Sequence, residues 1–361
     1  MYKQLKTTVL EITYEDYDIQ KVITDKGARR AILYKQMTPP AKVGNVLLVN
    51  TTATELQLGT GGWDIVCSLL EENDWISEES KGHIIKARYT PIQHSVMAVE
   101  AQESPYHEHF TKSFSLLGKP VWLAELHSMV PLFYYVSQQL RAQSRCCVIF
   151  DDQASLPLKL SDQLRELEKE EGFYSITVGQ AFGGQFEAIT VASALQFAEN
   201  VLQADFILIS VGPGVVGTGT CYGFSGMVLS NWSHTVSALG GTPVWIPRLS
   251  FAESRKRHLG ISHHTLTPLS QFTFRPAMLP FPYLNDLQRQ TVEEQLESSR
   301  PFQTDHRIHF AKDRVSNLIE SALKRTAIPI QTMGRKYEAD PLFFCAVAEA
   351  VRFGLDCEPF E

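Results

Sequence analysis

The sequence contains no apolar run of 18 or more residues, so it offers no candidate membrane-spanning helix. Its first residues, Met-Tyr-Lys-Gln-Leu-Lys, carry neither an apolar stretch nor a small-residue cleavage site, and a cytoplasmic location is expected. Cysteine is sparse and scattered: Cys67, Cys146, Cys147, Cys221, Cys345 and Cys357 form no C-x-x-C pair and no disulfide-framework spacing. That fits a reducing compartment, with most of them read as small buried hydrophobes. Basic charge is not in excess either. A net charge of -7 weighs against a dedicated nucleic-acid binder, which needs a positive face to neutralise phosphates. Three catalytic signatures are also missing: the Gly-Lys-Ser/Thr of a P-loop, the G-x-S-x-G nucleophile elbow and His-Glu-x-x-His.

What is present is enough apolar content, 44% of 361 residues, to fill a sizeable core. Short alternating segments over 9–14, 19–24, 31–34 and 46–50, separated by turn residues, predict a small antiparallel β-barrel or sheet over residues 1–55. Barrels of this kind sometimes bind oligonucleotides, and residues 1–50 are mildly basic, so Arg29, Arg30 and Lys35 with Tyr17 and Tyr34 form a minor candidate face. Residues 56–119, with the Gly-Thr-Gly-Gly turn at 59–62, read as a connecting segment joined to the main domain.

From residue 120 the pattern changes. Apolar strands at 121–125, 146–151, 174–178, 206–210 and 244–246 alternate with helical periodicity at 128–143, 161–171, 188–203 and 224–239. Short links between them specify right-handed crossovers, hence an α/β domain over 120–361: a doubly wound, mostly parallel sheet with helices on both faces. The tail after Arg255 reads as helical, including 286–298, 312–324 and a last helix opened by Asp340-Pro341.

In such sheets, ligands lie beyond the carboxyl ends of the strands. The residues there are Glu125 and His127; Asp151 and Asp152; Gly179, Gln180, Gly183 and Gly184; the loop from 212; and Arg248. The most distinctive run, VGPGVVGTGTCYGFSG over 211–226, follows a strand and precedes a helix. Gly212, Gly214, Gly217 and Gly219 let backbone amides approach an anion, and Thr218, Thr220 and Ser225 add hydroxyls. The alternative is a tight structural turn. GQAFGGQFE at 179–187 repeats the arrangement, with Glu187 at the start of the next helix. Cys221 reads as a loop cysteine rather than a nucleophile, although a helix N-terminus lowers a thiol's pKa.

Histidines concentrate in RLSFAESRKRHLGISHHT at 248–265, where Ser262 is a candidate N-cap and His258, His263 and His264 are acid/base or metal candidates, with Asp151 or Glu125 as carboxylate partners for a divalent metal. Adjacent histidines diverge in direction, so one of His263 and His264 is expected to face any ligand. His107 and His109, in ESPYHEH, form only a His-x-His pair.

The runs at 50–62, 179–187, 212–226 and 248–265 resemble a bacterial family catalogued as domain of unknown function 3866, and the resemblance extends over nearly the whole chain. It implies no activity. The residues themselves point to an enzyme of hydrolase or transferase type for a small anionic metabolite, with 212–220 as the cradle, Arg248 as a charge clamp, and His127, Asp151, His258, His263 and His264 as the chemical groups. The alternative is a non-catalytic metabolite sensor, and a homo-oligomer is compatible with either.

Overall fold

The computed structural model describes residues 2–58, 61–70, 82–153, 157–300 and 302–360, which form two compact units, Met1–Met97 and Ala98–Glu361. Gly59 and Thr60 of the glycine turn lie outside the described residues.

In the first unit, β1 (Gln4–Glu15), β2 (Ile19–Thr24), β3 (Arg30–Tyr34), β4 (Val46–Asn50), the single turn α1 (Thr52–Glu55) and β5 (Asp64–Leu69) build a closed barrel of order β1-β2-β3-β5-β4. The long β1 closes it by pairing with β2 through its second half and β4 through its first, bending at two register shifts. Val9, Val22, Leu33, Leu47, Val49 and Val66 fill the interior, as the period of two along each strand requires. The barrel therefore runs past residue 55. β5 seals it, parallel to β3 and antiparallel to β4, although its Gly-rich approach reads in sequence as the start of a linker. A hairpin of β6 (Ile84–Lys86) and β7 (His94–Val96) follows within the same unit.

The second unit contains, in order, β8 (Pro120–Ala124), α2 (Met129–Leu140), β9 (Cys146–Asp151), α3 (Asp162–Leu167), β10 (Phe173–Thr177), β11 (Phe186–Glu187), α4 (Val191–Asn200), β12 (Phe206–Val211), α5 (Leu229–Ala238), β13 (Thr242–Trp245), β14 (Leu249–Ser250), β15 (Gly260–Ile261), α6 (His263–Phe272), β16 (Met278–Phe281), α7 (Asp286–Ser298), β17 (Arg307–Phe310), α8 (Ser316–Arg325) and α9 (Pro341–Asp356). Eight strands make one all-parallel sheet of order β11-β10-β9-β12-β8-β13-β16-β17. Alternation along the central strands divides the core in two. Leu123, Ile149 and Ile209 face α4, α5, α6 and α7, whereas Trp122, Val148 and Leu208 face α2, α3, α8 and α9.

Two features of this unit differ from the sequence reading. The tail supplies strands as well as helices, because β16 and β17 extend the sheet; both are four residues long and Pro280 interrupts the first, so their apolar signal is weak. The other is where the segment read as a connector divides: its last part, 98–119, lies in this unit, and its first part in the barrel unit. Among the described residues, no helix is long and apolar enough to cross a membrane.

Candidate functional site

The strand order creates a switch point. From β8 the chain leaves through α2 on one face towards β9, and from the neighbouring β12 it leaves through α5 on the other face towards β13. Loops that part in opposite directions open a crevice beyond the strand ends, which is where open α/β sheets hold ligands. Glu125 follows β8, the glycine loop follows β12, and Arg248 follows β13, the strand on the other side of β8.

A small antiparallel pairing then brings the histidines back to this point. β14 and β15 pair Leu249 with Ile261 and Ser250 with Gly260, so the chain leaves Arg248, turns through a 3-10 helix at Lys256–His258 and returns beside its start. Ser262 N donates to Arg248 O at 2.9 Å, and Arg248 N donates to Thr265 Oγ1 at 3.1 Å. Ser262 caps α6 by accepting from His264 N at 3.1 Å, and its hydroxyl also meets His258 Nδ1 at 2.7 Å. α7 braces the turn, since Gln295 Oε1 accepts from Ile261 N at 2.9 Å.

At the centre lies a buried constellation. Glu125 Oε1 lies 2.5 Å from His264 Nδ1 and accepts from the Arg248 guanidinium at 2.9 Å. Burial works to raise the Glu125 pKa, but the hydrogen bond from His264 and the charge of Arg248 outweigh it and leave it below its ordinary value. An ionised Glu125 can only accept, so His264 donates to it from Nδ1. Burial, followed by the charge of Arg248, drives the His258 pKa down to about 3; burial, followed by His264 and Arg257, drives that of His263 down to about 4. Both rings are therefore neutral at pH 7.

His258, His263 and His264 each offer a donor atom, and these atoms lie within 4.8 Å of one another. The ring centroids of His263 and His264 are 4.4 Å apart, so both adjacent histidines share the site where one was expected. The cause is tertiary: Phe224, from the glycine loop, stacks parallel on His264 at 4.0 Å and meets His263 edge-on at 5.1 Å, holding both rings against one aromatic plate. Glu125 Oε2 and His263 Nε2 are buried without a hydrogen-bond partner.

The glycine loop wraps this cluster. A Cβ on Gly217 would sit 3.4 Å from Cε1 and 3.6 Å from Nε2 of His264, and one on Gly226 would sit 3.2 Å from Glu125 Cγ. The loop is also internally bonded. Thr218 N donates to Gly223 O, Thr218 Oγ1 lies 2.8 Å from Thr220 Oγ1, and Val216 N donates to Ser225 Oγ. The hydroxyls thus shape the hairpin, with Gly219 and Thr220 exposed at its tip. The guanidinium beside that tip is Arg257, at 3.7 Å from where a Gly219 Cβ would stand.

A family model described as "Protein of unknown function (DUF3866)" matches residues 30–351, a span from β3 through most of α9 that includes the whole histidine site. The chain belongs to the DUF3866 family. No curated protein matches it.

In this DUF3866 member, Asp151 and the Gly183–Gly184 turn lie on the β9–β11 side of the sheet, away from β8 and β13. Asp151 ends β9, two strands from β8; its Oδ2 accepts from Trp232 Nε1 at 2.6 Å, and burial raises its pKa to about 6. His127 follows Glu125 and enters α2, with its pKa lowered by burial to about 4. Gly183 and Gly184 stand near the sheet edge, where their amides donate to Glu187 Oε1 at 2.8 Å and Thr177 Oγ1 at 3.0 Å. Glu187 lies on β11 and not at a helix start. His107 occupies a 3-10 turn with Nδ1 on Glu100 O. Phe224 and Arg257 were not singled out in the sequence, although both lie inside the runs 211–226 and 248–265, because a lone phenylalanine or arginine carries no motif of its own.

On the barrel, Trp63 lies under both Lys21, at 5.5 Å, and Arg30, at 5.2 Å, with Tyr14 also beneath Lys21 at 5.6 Å.

Proposed function

We propose that this protein is an enzyme that hydrolyses, or transfers a group from, a small anionic metabolite at the switch point of the sheet. The observation that carries this reading is the buried Glu125–His264 hydrogen bond, set under the glycine loop beside two further imidazoles. Carboxylate and imidazole meeting within hydrogen-bond reach favours chemistry over simple sensing, since a sensor needs complementarity but no imidazole oriented by a buried carboxylate. Arg257 and the exposed tip around Gly219 and Thr220 are the anion-facing elements. Arg248 acts mainly through Glu125, whose charge it balances. Asp151 and His127 line the same edge, towards β9 and the start of α2.

The test is a screen of phosphate and carboxylate esters with the full chain. Expected is turnover of at least one class, abolished in His264→Ala, and a raised KM with little change in kcat in Arg257→Ala. Ligand binding that survives His264→Ala with no turnover of any ester would overturn the enzyme reading in favour of a metabolite sensor.

The cations stacked on Trp63 support a second, separate reading: a sequence-tolerant platform for single-stranded nucleic acid on the barrel. Salt-dependent binding of a labelled oligonucleotide, lost in Trp63→Ala, is its signature.

A further inference from the structure

We infer that His258, His263 and His264 form a binding site for one divalent transition-metal ion of the zinc class, with Glu125 as the carboxylate behind it. Three observations converge. The three side chains bring donor atoms within 4.8 Å of one another, on elements held together by the β14–β15 pairing and the Ser262 cap. Nδ1 is already engaged in two of the rings, by Ser262 Oγ in His258 and by Glu125 Oε1 in His264, which leaves Nε2 as the ligating atom. Metal-binding histidines are held this way, by a partner on the far nitrogen that fixes tautomer and ring orientation. The third ring, His263, presents a buried Nε2 with no partner. Left unsatisfied, such a nitrogen costs about 1–3 kcal/mol, a cost a coordinated cation removes.

The donor set selects the ion. Imidazoles without thiolates suit zinc, copper, nickel or iron rather than calcium or magnesium. Three protein ligands leave the fourth position that hydrolytic zinc sites keep for water. Arg248 pairs with Glu125 at 2.9 Å, so the carboxylate behind the site has its own counter-charge. Gly217, at the Cε1–Nε2 edge of His264, leaves space where any side chain would stand. The catalytic role of the ion rests on the function proposed above; its binding does not.

The experiment uses the full chain stripped with a chelator and titrated with zinc chloride by calorimetry, then with cobalt chloride by visible absorption. Expected is one ion per chain with cobalt bands of a low-coordinate nitrogen site, and loss of that binding in His263→Ala, the least buried of the three rings and so the substitution least damaging to the fold. Glu125→Gln should weaken binding roughly 10- to 100-fold while keeping one ion per chain. Wild-type affinity in both His263→Ala and His264→Ala, or no stoichiometric binding, would overturn the inference. Metal bound by the wild type and lost from the variants, with no ester turned over, leaves the site standing and removes the proposed reaction. Ester turnover by the metal-free chain removes the metal and leaves the reaction.

Discussion

Asp151 shows how one residue reports on its surroundings. A carboxyl whose folded pKa is raised from 3.8 to about 6 binds its proton more tightly in the native state than in the unfolded chain. Its contribution to stability is complete below pH 3.8 and is lost as the pH rises to 6, a change on the order of 3 kcal/mol at most. Asp151→Asn, which keeps the shape, should therefore gain stability relative to wild type on going from pH 4 to pH 7. Urea midpoints at the two pH values check this, and parallel shifts in both proteins would refute it. An acid kept at such a cost at the end of a parallel strand is a candidate for function rather than folding.

At the scale of elements, α9 depends on one missing side chain. Trp122 of β8 is fully buried and donates from Nε1 to Ala350 O at 2.7 Å, and Gly354, one turn further along α9, passes so near that a Cβ there would stand 2.4 Å from the indole. The ring is hemmed by Phe133 and Phe206 and has nowhere to retreat. Gly354→Val should lower stability by about 1–3 kcal/mol through overpacking, outweighing valine's gain over glycine in helix propensity. Thermal unfolding by circular dichroism measures it, and an unchanged midpoint would show that α9 docks differently. The N-cap at Ser262 was legible in sequence, as were α2, α4, α5 and all five major strands of 120–246. The short strands β16 and β17 were not, since four residues carry too little periodicity to separate them from loop.

For the whole molecule, the division at residue 97 places every residue of the histidine site in one unit, with its own core. A fragment spanning 98–361 should fold and bind zinc with the affinity of the full chain. Calorimetric titration of the fragment tests this, and weakened binding would show that the barrel contributes to the site.

The sequence by itself determined the α/β class, because hydrophobic period and turn chemistry are local and survive in a linear reading. It also placed Glu125, Arg248 and the glycine loop at strand ends, since parallel strands joined by helices put those ends on one edge. Tertiary structure alone decided which ends are neighbours. The order β12-β8-β13 juxtaposes residues more than 80 positions apart, and Phe224 turns two adjacent histidines, expected to diverge, towards a common centre. Such choices come from long-range packing, where side-chain direction answers to contacts across the fold rather than to spacing along the chain.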